Sequence, residues 1–143
     1  MTTYVDTSVL LKLLVDDEVG GDAAERLWVG SEGLICAEIG FAEARSALAA
    51  AHRNARFSTR LFGTAKRELE DLWSQIDVVV VNTALVRSAG NVAETDQLRG
   101  YDAVHLAAAL AANAEVFAAA DDRLLAAARR HGLATSNPLS PPG

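Results

Sequence analysis

The chain has 143 residues, half of them apolar, and 19 acidic side chains against 13 basic ones give a formal charge of −6. That length suits one domain with a real core, and the acidic balance excludes a protein that grips nucleic acid through phosphate neutralisation alone. No apolar run approaches the roughly 18 residues of a membrane span, no basic stretch leads into an apolar one at the N-terminus, and the single Cys36 allows no internal disulfide, so a cytoplasmic protein is expected.

Tyr4-Val5 reads as a short strand, followed by Asp6 and an apolar helix over 7–14. A second helix over 21–30 leads to Leu34-Ile35-Cys36, a strand in which the thiol packs as a small hydrophobe. Helices over 37–55 and 58–75 precede a third strand at 76–81, and helices over 83–96 and 101–113 follow it. Val116-Phe117 is the fourth strand, 122–131 the last helix and 133–136 a weaker fifth strand. Pro138, Pro141 and Pro142 are the only prolines, so 1–136 reads as one folded domain and 137–143 as a flexible tail. Apolar strands alternating with helices predict an α/β fold: a three-layer α/β/α sandwich around a mostly parallel five-stranded sheet. Ligands of such sheets bind beyond the carboxyl ends of the strands, where strand order reverses, and there Asp6 and Asp121 follow the first and fourth strands.

Four acids stand out, and each has an ordinary explanation. Asp6 and Asp121 precede helices and cap them, and Asp102 opens a very apolar helix whose dipole favours an acid at that end. Glu43 has Ile39 and Ala47 one turn away on its helix, so it must reach solvent, pair with a residue such as Arg45, or bind a cation, with Glu38 as a competitor. Their joint placement says more than any one of them, because acids at the mouths of separate strands repel unless a cation intervenes. His105, one turn on from Asp102, reads as a packed residue rather than a catalytic one. The sequence holds no GxxxxGK[ST] loop, GxSxG elbow, CxxC pair or HExxH helix. It also lacks the second aspartate of a haloacid-dehalogenase phosphatase after Asp6, and Asn82-Thr83 stands where a receiver domain would carry its phosphoacceptor.

Tyr4-Val5-Asp6-Thr7-Ser8-Val9-Leu10-Leu11, Glu43-Ala44-Arg45-Ser46-Ala47-Leu48, Leu98-Arg99-Gly100-Tyr101-Asp102-Ala103-Val104-His105-Leu106-Ala107 and Phe117-Ala118-Ala119-Ala120-Asp121-Asp122-Arg123-Leu124 occur in this order. Together they resemble the PIN-domain ribonucleases, and within them the VapC-like toxins of bacterial toxin–antitoxin pairs, over nearly the whole chain. The resemblance implies that Asp6, Glu43, Asp102 and Asp121 form an acidic quartet holding Mg²⁺ or Mn²⁺, with Ser8 in support. It implies an endoribonuclease that cuts structured RNA and so inhibits translation, a homodimer, and an antitoxin protein whose C-terminal segment lies in a groove and blocks the site.

Trp28, Phe41, Phe57, Phe62 and Trp73 fall on predicted helices and are candidates for that groove, although core packing explains most of them. The basic residues between His52 and Arg67, with Arg129, Arg130 and His131, are either solvated helix faces or an RNA-facing strip. Ala119 stands where relatives often carry a threonine or serine, and Asp122 competes with Asp121, which its spacing from Phe117 and Leu124 favours. In the mechanism expected, a divalent cation activates water for in-line attack on phosphorus and leaves a 5′-phosphate and a 3′-hydroxyl. The alternatives are an inactive PIN-like module that binds RNA or protein, and a metal-dependent small-molecule phosphohydrolase.

Overall fold

The computed structural model describes residues 1–15 and 19–140. The strands are β1 (Thr2–Val5), β2 (Gly33–Ala37), β3 (Ile76–Val79), β4 (Val116–Ala118) and β5 (Ala134–Ser136). The helices are α1 (Thr7–Leu14), α2 (Gly21–Gly30), α3 (Ile39–Arg53), α4 (Thr59–Trp73), α5 (Thr83–Asp96), α6 (Gly100–Ala111) and α7 (Asp122–Arg130). The sheet is wholly parallel in the order β3-β2-β1-β4-β5. The chain builds outward from β1 to β3, then returns to the other side of β1 with β4. The reversal therefore lies between β1 and β4, beyond whose carboxyl ends a crevice opens.

Alternation along the strands assigns the two faces. Tyr4, Ile35 and Phe117 point into a core shared with Leu85, Leu106 and Leu124 of α5, α6 and α7. Val5, Leu34, Cys36 and Ala118 point the other way, against Val9, Leu10, Ala24 and Trp28 of α1 and α2. A third cluster joins Leu14 to Ala44, Leu48, Ala65 and Leu69 of α3 and α4. The expected three layers are all present.

Polar residues start the helices where the sequence placed them. Ser58 and Asn82 accept the Leu61 and Leu85 backbone N–H groups at 3.2 and 2.9 Å and cap α4 and α5. Most element ends fall within two residues of expectation, and two of the shifts share one cause. Strand β3 ends at Val79 and not at 81, because its partner β2 ends at Ala37, which pairs with Val79. Helix α3 consequently starts at Ile39, after Glu38 has spent its backbone N–H on the Val79 carbonyl at 2.9 Å.

Helix α6 is built for close approach: Ala103, Ala107, Ala108 and Ala109 are all buried between the sheet and α5. The expected tail divides at the edge of the described residues. Pro138 is buried, and Asn137 to Ser140 form a turn closed by the Ser140 N–H on the Asn137 carbonyl at 3.0 Å, while 141–143 lie outside the described residues.

Asp96 ends α5 with its side chain only 3% exposed, and it accepts hydrogen bonds from Arg130 Nε at 3.0 Å and His131 Nε2 at 2.7 Å. The His131 bond, against the opposing effect of burial, and then Arg130 hold the carboxyl below its ordinary value of 3.8. A depressed folded-state pKa contributes stability above the unfolded value and loses it as pH falls through the folded one. Asp96→Asn should therefore cost about 1–3 kcal/mol. In paired thermal melts the wild-type advantage should be full near neutrality and shrink below about pH 3.8.

Candidate active site

Asp6 leaves β1 with its backbone N–H on the Ala118 carbonyl at 3.0 Å, which extends the β1–β4 ladder by one bond. Its side chain caps α1, Oδ2 accepting the Ser8 backbone N–H at 3.3 Å and the Ser8 hydroxyl at 2.7 Å. Ser8 Oγ in turn accepts the Ala120 N–H at 3.0 Å. One hydroxyl thus ties the loop after β1 to the loop after β4. Ser8 thus supplies, from α1, a hydroxyl beside the loop in which Ala119 has none.

Asp121 caps α7, with Oδ1 accepting the Arg123 and Leu124 N–H groups at 2.9 and 3.2 Å. Asp122 is exposed and accepts the Asn137 side-chain amide at 3.1 Å. Of the two neighbours, Asp121 therefore lines the pocket. That pocket, about 250 Å³, is bounded by Leu98, Arg99, Asp102, Asp121, Arg123 and Leu124. Asp102 sits in the first turn of α6, where Arg99 Nε stands 3.7 Å from Oδ2. Burial raises the Asp102 pKa, and the negative charges of Asp6 and Asp121 raise it further against the pull of Arg99 and His105. Two of the other acids therefore press electrostatically on Asp102, second to the effect of its burial.

Glu43 joins them through a histidine. Its Oε1 accepts the Thr7 hydroxyl at 2.9 Å and His105 Nε2 at 2.6 Å. The same nitrogen lies 3.6 Å from Asp6 Oδ1. The other ring nitrogen, Nδ1, is 2.6 Å from the Tyr4 hydroxyl, which also accepts the Ala37 backbone N–H at 2.9 Å. His105 is 1% exposed. Burial alone would lower its pKa, but hydrogen bonds to Cys36 and Glu43 and the charge of Asp6 lift it to about 10. Burial would likewise raise Glu43, and the hydrogen bond and charge of His105 more than reverse that. Glu38, the competing glutamate, is exposed at the start of α3 and makes no side-chain cap.

His105 is indeed packed, as the sequence suggested, but it is also the polar link between α6, α3 and β1. Thr7 completes that link. A histidine one turn from an aspartate on a helix otherwise rich in alanine and leucine was the available signal, since such a polar group stays buried only with partners.

The structure gathers Asp6, Asp102 and Asp121 around the β1–β4 crevice and ties Glu43 to Asp6 through His105. Among the described residues, no three His, Cys, Asp or Glu side chains stand close enough together to hold one metal ion. The donor chemistry suits a hard divalent cation, because every candidate ligand is a carboxylate oxygen. Glu43 Oε2 and Asp121 Oδ2 accept no hydrogen bond from the described residues. The repulsion on Asp102 is the kind of strain that a shared cation relieves.

A wholly parallel α/β sheet with acids beyond its strand ends is the setting in which the comparisons with known proteins apply. A family model for the PIN domain matches residues 3–130. Ribonuclease VapC45 of Mycobacterium tuberculosis (strain CDC 1551 / Oshkosh) is 39% identical over 108 residues, covering 76% of this chain and 74% of the relative. The chain belongs to the PIN domain family. Among solved structures, PAE2754 from Pyrobaculum aerophilum superposes with a TM-score of 0.71 at 23% identity, over 94% of this chain and 83% of that one. The M. tuberculosis toxin VapC20, described as cleaving the sarcin-ricin loop, gives 0.68 at 20% identity over 87% and 94%. These two establish the shared fold.

Repulsion within the cluster has a measurable consequence. Asp102→Asn removes a partly buried charge repelled by Asp6 and Asp121, at the smaller loss of an exposed pair with Arg99 and the favourable pull of His105 and the α6 dipole. In a chelator, scanning calorimetry should show its melting temperature about 2–4 °C above wild type. An unchanged or lower value would mean that Asp6 and Asp121 do not press on Asp102.

Proposed function

We propose that this PIN-domain protein is an endoribonuclease, the toxin of a toxin–antitoxin pair, in which Asp6, Glu43, Asp102 and Asp121 hold Mg²⁺ or Mn²⁺. The observation that carries the reading is the placement of Asp6 and Asp121 just past β1 and β4, with Asp102 lining the same pocket as Asp121, on a chain 39% identical to a ribonuclease. When bound, a divalent cation supplies the Lewis acidity that activates water and offsets charge on the phosphoryl oxygens.

The chain's own groups prepare that site. Ser8 fixes Asp6 Oδ2 by hydrogen bonding, while Asp121 Oδ1 is committed to the α7 cap, so each aspartate offers its other oxygen to the crevice. Arg99 and Arg123 flank Asp102 and Asp121 in the pocket and provide positive charge for an RNA phosphate. Ser8 Oγ donates to Asp6 and accepts from Ala120, so it is not poised as a nucleophile. In this reading water is the nucleophile and the 3′-oxygen the leaving group, so the products would carry a 5′-phosphate and a 3′-hydroxyl.

A homodimer and an inhibitory antitoxin belong to the same reading, as does cytoplasmic action. A groove of about 550 Å³ between α1, α2 and α4, with Leu13, Trp28, Val29 and Leu72 among its lining, offers apolar surface for a partner helix. No helix among the described residues is long and apolar enough to cross a membrane.

The test is sequencing of RNA 5′ ends after brief expression of the wild type and of Asp6→Asn, with Mn²⁺ calorimetry on both proteins. Asparagine still caps α1, so the variant should stay folded while cleavage falls about 100-fold or more. Cleavage at the wild-type rate would remove Asp6 from the site. Discrete cuts absent from the control would identify the RNA, and Mn²⁺ binding without any cut would favour a non-hydrolytic binding module.

A further inference from the structure

Two of the shortest side-chain hydrogen bonds in the protein lie end to end beneath the acids. From the backbone inward, the Ala37 N–H donates to the Tyr4 hydroxyl at 2.9 Å, that hydroxyl meets His105 Nδ1 at 2.6 Å, and His105 Nε2 meets Glu43 Oε1 at 2.6 Å. Tyr4 is fully buried and stacks on Phe117 with centroids 5.2 Å apart and planes within 5°. The imidazole is edge-on to the same tyrosine at 5.7 Å. The chain of groups thus begins in the two central strands, the most constrained part of the molecule, and ends on a side chain 32% exposed. His105 Nε2 comes no nearer to Asp6 Oδ1 than 3.6 Å, too far for a hydrogen bond, and Tyr4 is fully buried beneath it, so the acids at the crevice do not by themselves account for this polar chain. Their hydrogen-bonding groups need another reason.

We propose that His105, itself anchored by Tyr4, is a positioning residue that fixes which oxygen of Glu43 is presented to a divalent cation. The inference rests on Glu43 being one of the cation's ligands, as set out above. A carboxylate only accepts, so Nε2 must carry a proton whatever the state of the ring. With the Thr7 hydroxyl also donating at 2.9 Å, Oε1 accepts two hydrogen bonds from the protein side. Oε2 alone is left for an ion. Without the histidine, a glutamate whose helical neighbours are Ile39 and Ala47 has nothing at its inner side except one threonine hydroxyl. It would then sample solvent-directed rotamers, and a ligand that must be drawn back from solvent binds its ion more weakly. Both ring nitrogens are occupied by protein groups, so His105 is not itself a ligand; its short contact with the proposed ligands is the 2.6 Å bond to Glu43, with Asp6 Oδ1 more distant at 3.6 Å.

The experiment is Mn²⁺ calorimetry on the full chain, with thermal melts of the same samples, for wild type, His105→Asn, His105→Gln, Glu43→Gln and the double variant Glu43→Gln/His105→Asn. Asparagine is too short to reach Glu43, whereas glutamine places an amide N–H near the position of Nε2. His105→Asn should weaken Mn²⁺ binding about 10–100-fold, the range seen when groups that orient metal ligands are removed. His105→Gln should restore most of that loss even if its melting temperature stays as low as that of His105→Asn. In the Glu43→Gln background the same asparagine should add little further loss, because its effect runs through the carboxylate already removed.

Wild-type affinity in His105→Asn overturns the proposal. So does a loss that follows the melting temperature across the variants, or one undiminished in the Glu43→Gln background. If His105→Asn does not fold, Tyr4→Phe removes only the hydroxyl on Nδ1. It should weaken Mn²⁺ several-fold, and unchanged affinity there would count equally against the idea. A wild-type chain that binds no Mn²⁺ would instead sink the metal reading itself, and the positioning role with it.

Discussion

The backbone hydrogen bond from Asp6 to Ala118 does more for this molecule than its modest net energy suggests. It carries the β1–β4 pairing one residue past the end of β1, so the side chain of Asp6 emerges at a fixed height beside the loop that leads to Asp121. The Ser8 hydroxyl then pins the same two loops a second time. Because a parallel neighbour must be reached by a crossover, β4 can lie against β1 only after the chain has finished one side of the sheet and returned. The crevice is thus a consequence of strand order. The chemistry depends on two loops that meet because their strands do.

Placing several carboxylates in that crevice is costly, and the protein offsets the cost with devices that also build the fold. Asp6 and Asp121 each satisfy the first N–H groups of a helix, and Asp102 lies in the first turn of another, where the peptide dipoles favour negative charge. His105 faces Glu43 and, more distantly, Asp6. Every one of these acids has a local structural partner, and at least one is still left short of full compensation, as the raised pKa of Asp102 records. That residue of unrelieved repulsion distinguishes the cluster from the paired acid at the end of α5, where Asp96 is held low by Arg130 and His131.

Much of the architecture was legible because its signals are local and periodic. Apolar runs marked the five strands, alanine-rich stretches marked the helices, and Asp6 and Asp121 could be set at the ends of the first and fourth strands, although that these strands are neighbours is seen only in the structure. The boundary errors at β3 and α3 arose because strand length is set by the partner, and Ala37 and Val79 are distant in sequence. The role of His105 was out of reach for a similar reason. Its partners Tyr4 and Glu43 stand 101 and 62 positions away, and periodicity assigns a side chain to the interior without saying what it meets there. The choice of Asp121 over Asp122 was suggested by spacing, and the geometry supplies its cause: the second aspartate is turned to Asn137 at the edge of the sheet.

The alanine face of α6 has an implication for how sequences of this kind can drift. Asp102 and His105 ride on the same rigid rod as Ala107, Ala108 and Ala109, which are buried where the helix meets the sheet and α5. A close-packed interior has no slack to absorb an added methylene. A bulkier side chain anywhere along that seam would shift the whole rod, moving an acid and an imidazole together relative to two loops that stay behind. Innocuous-looking volume changes two turns from the crevice should therefore be as poorly tolerated as changes within it, and compensating changes should appear on α5, the surface that would have to yield.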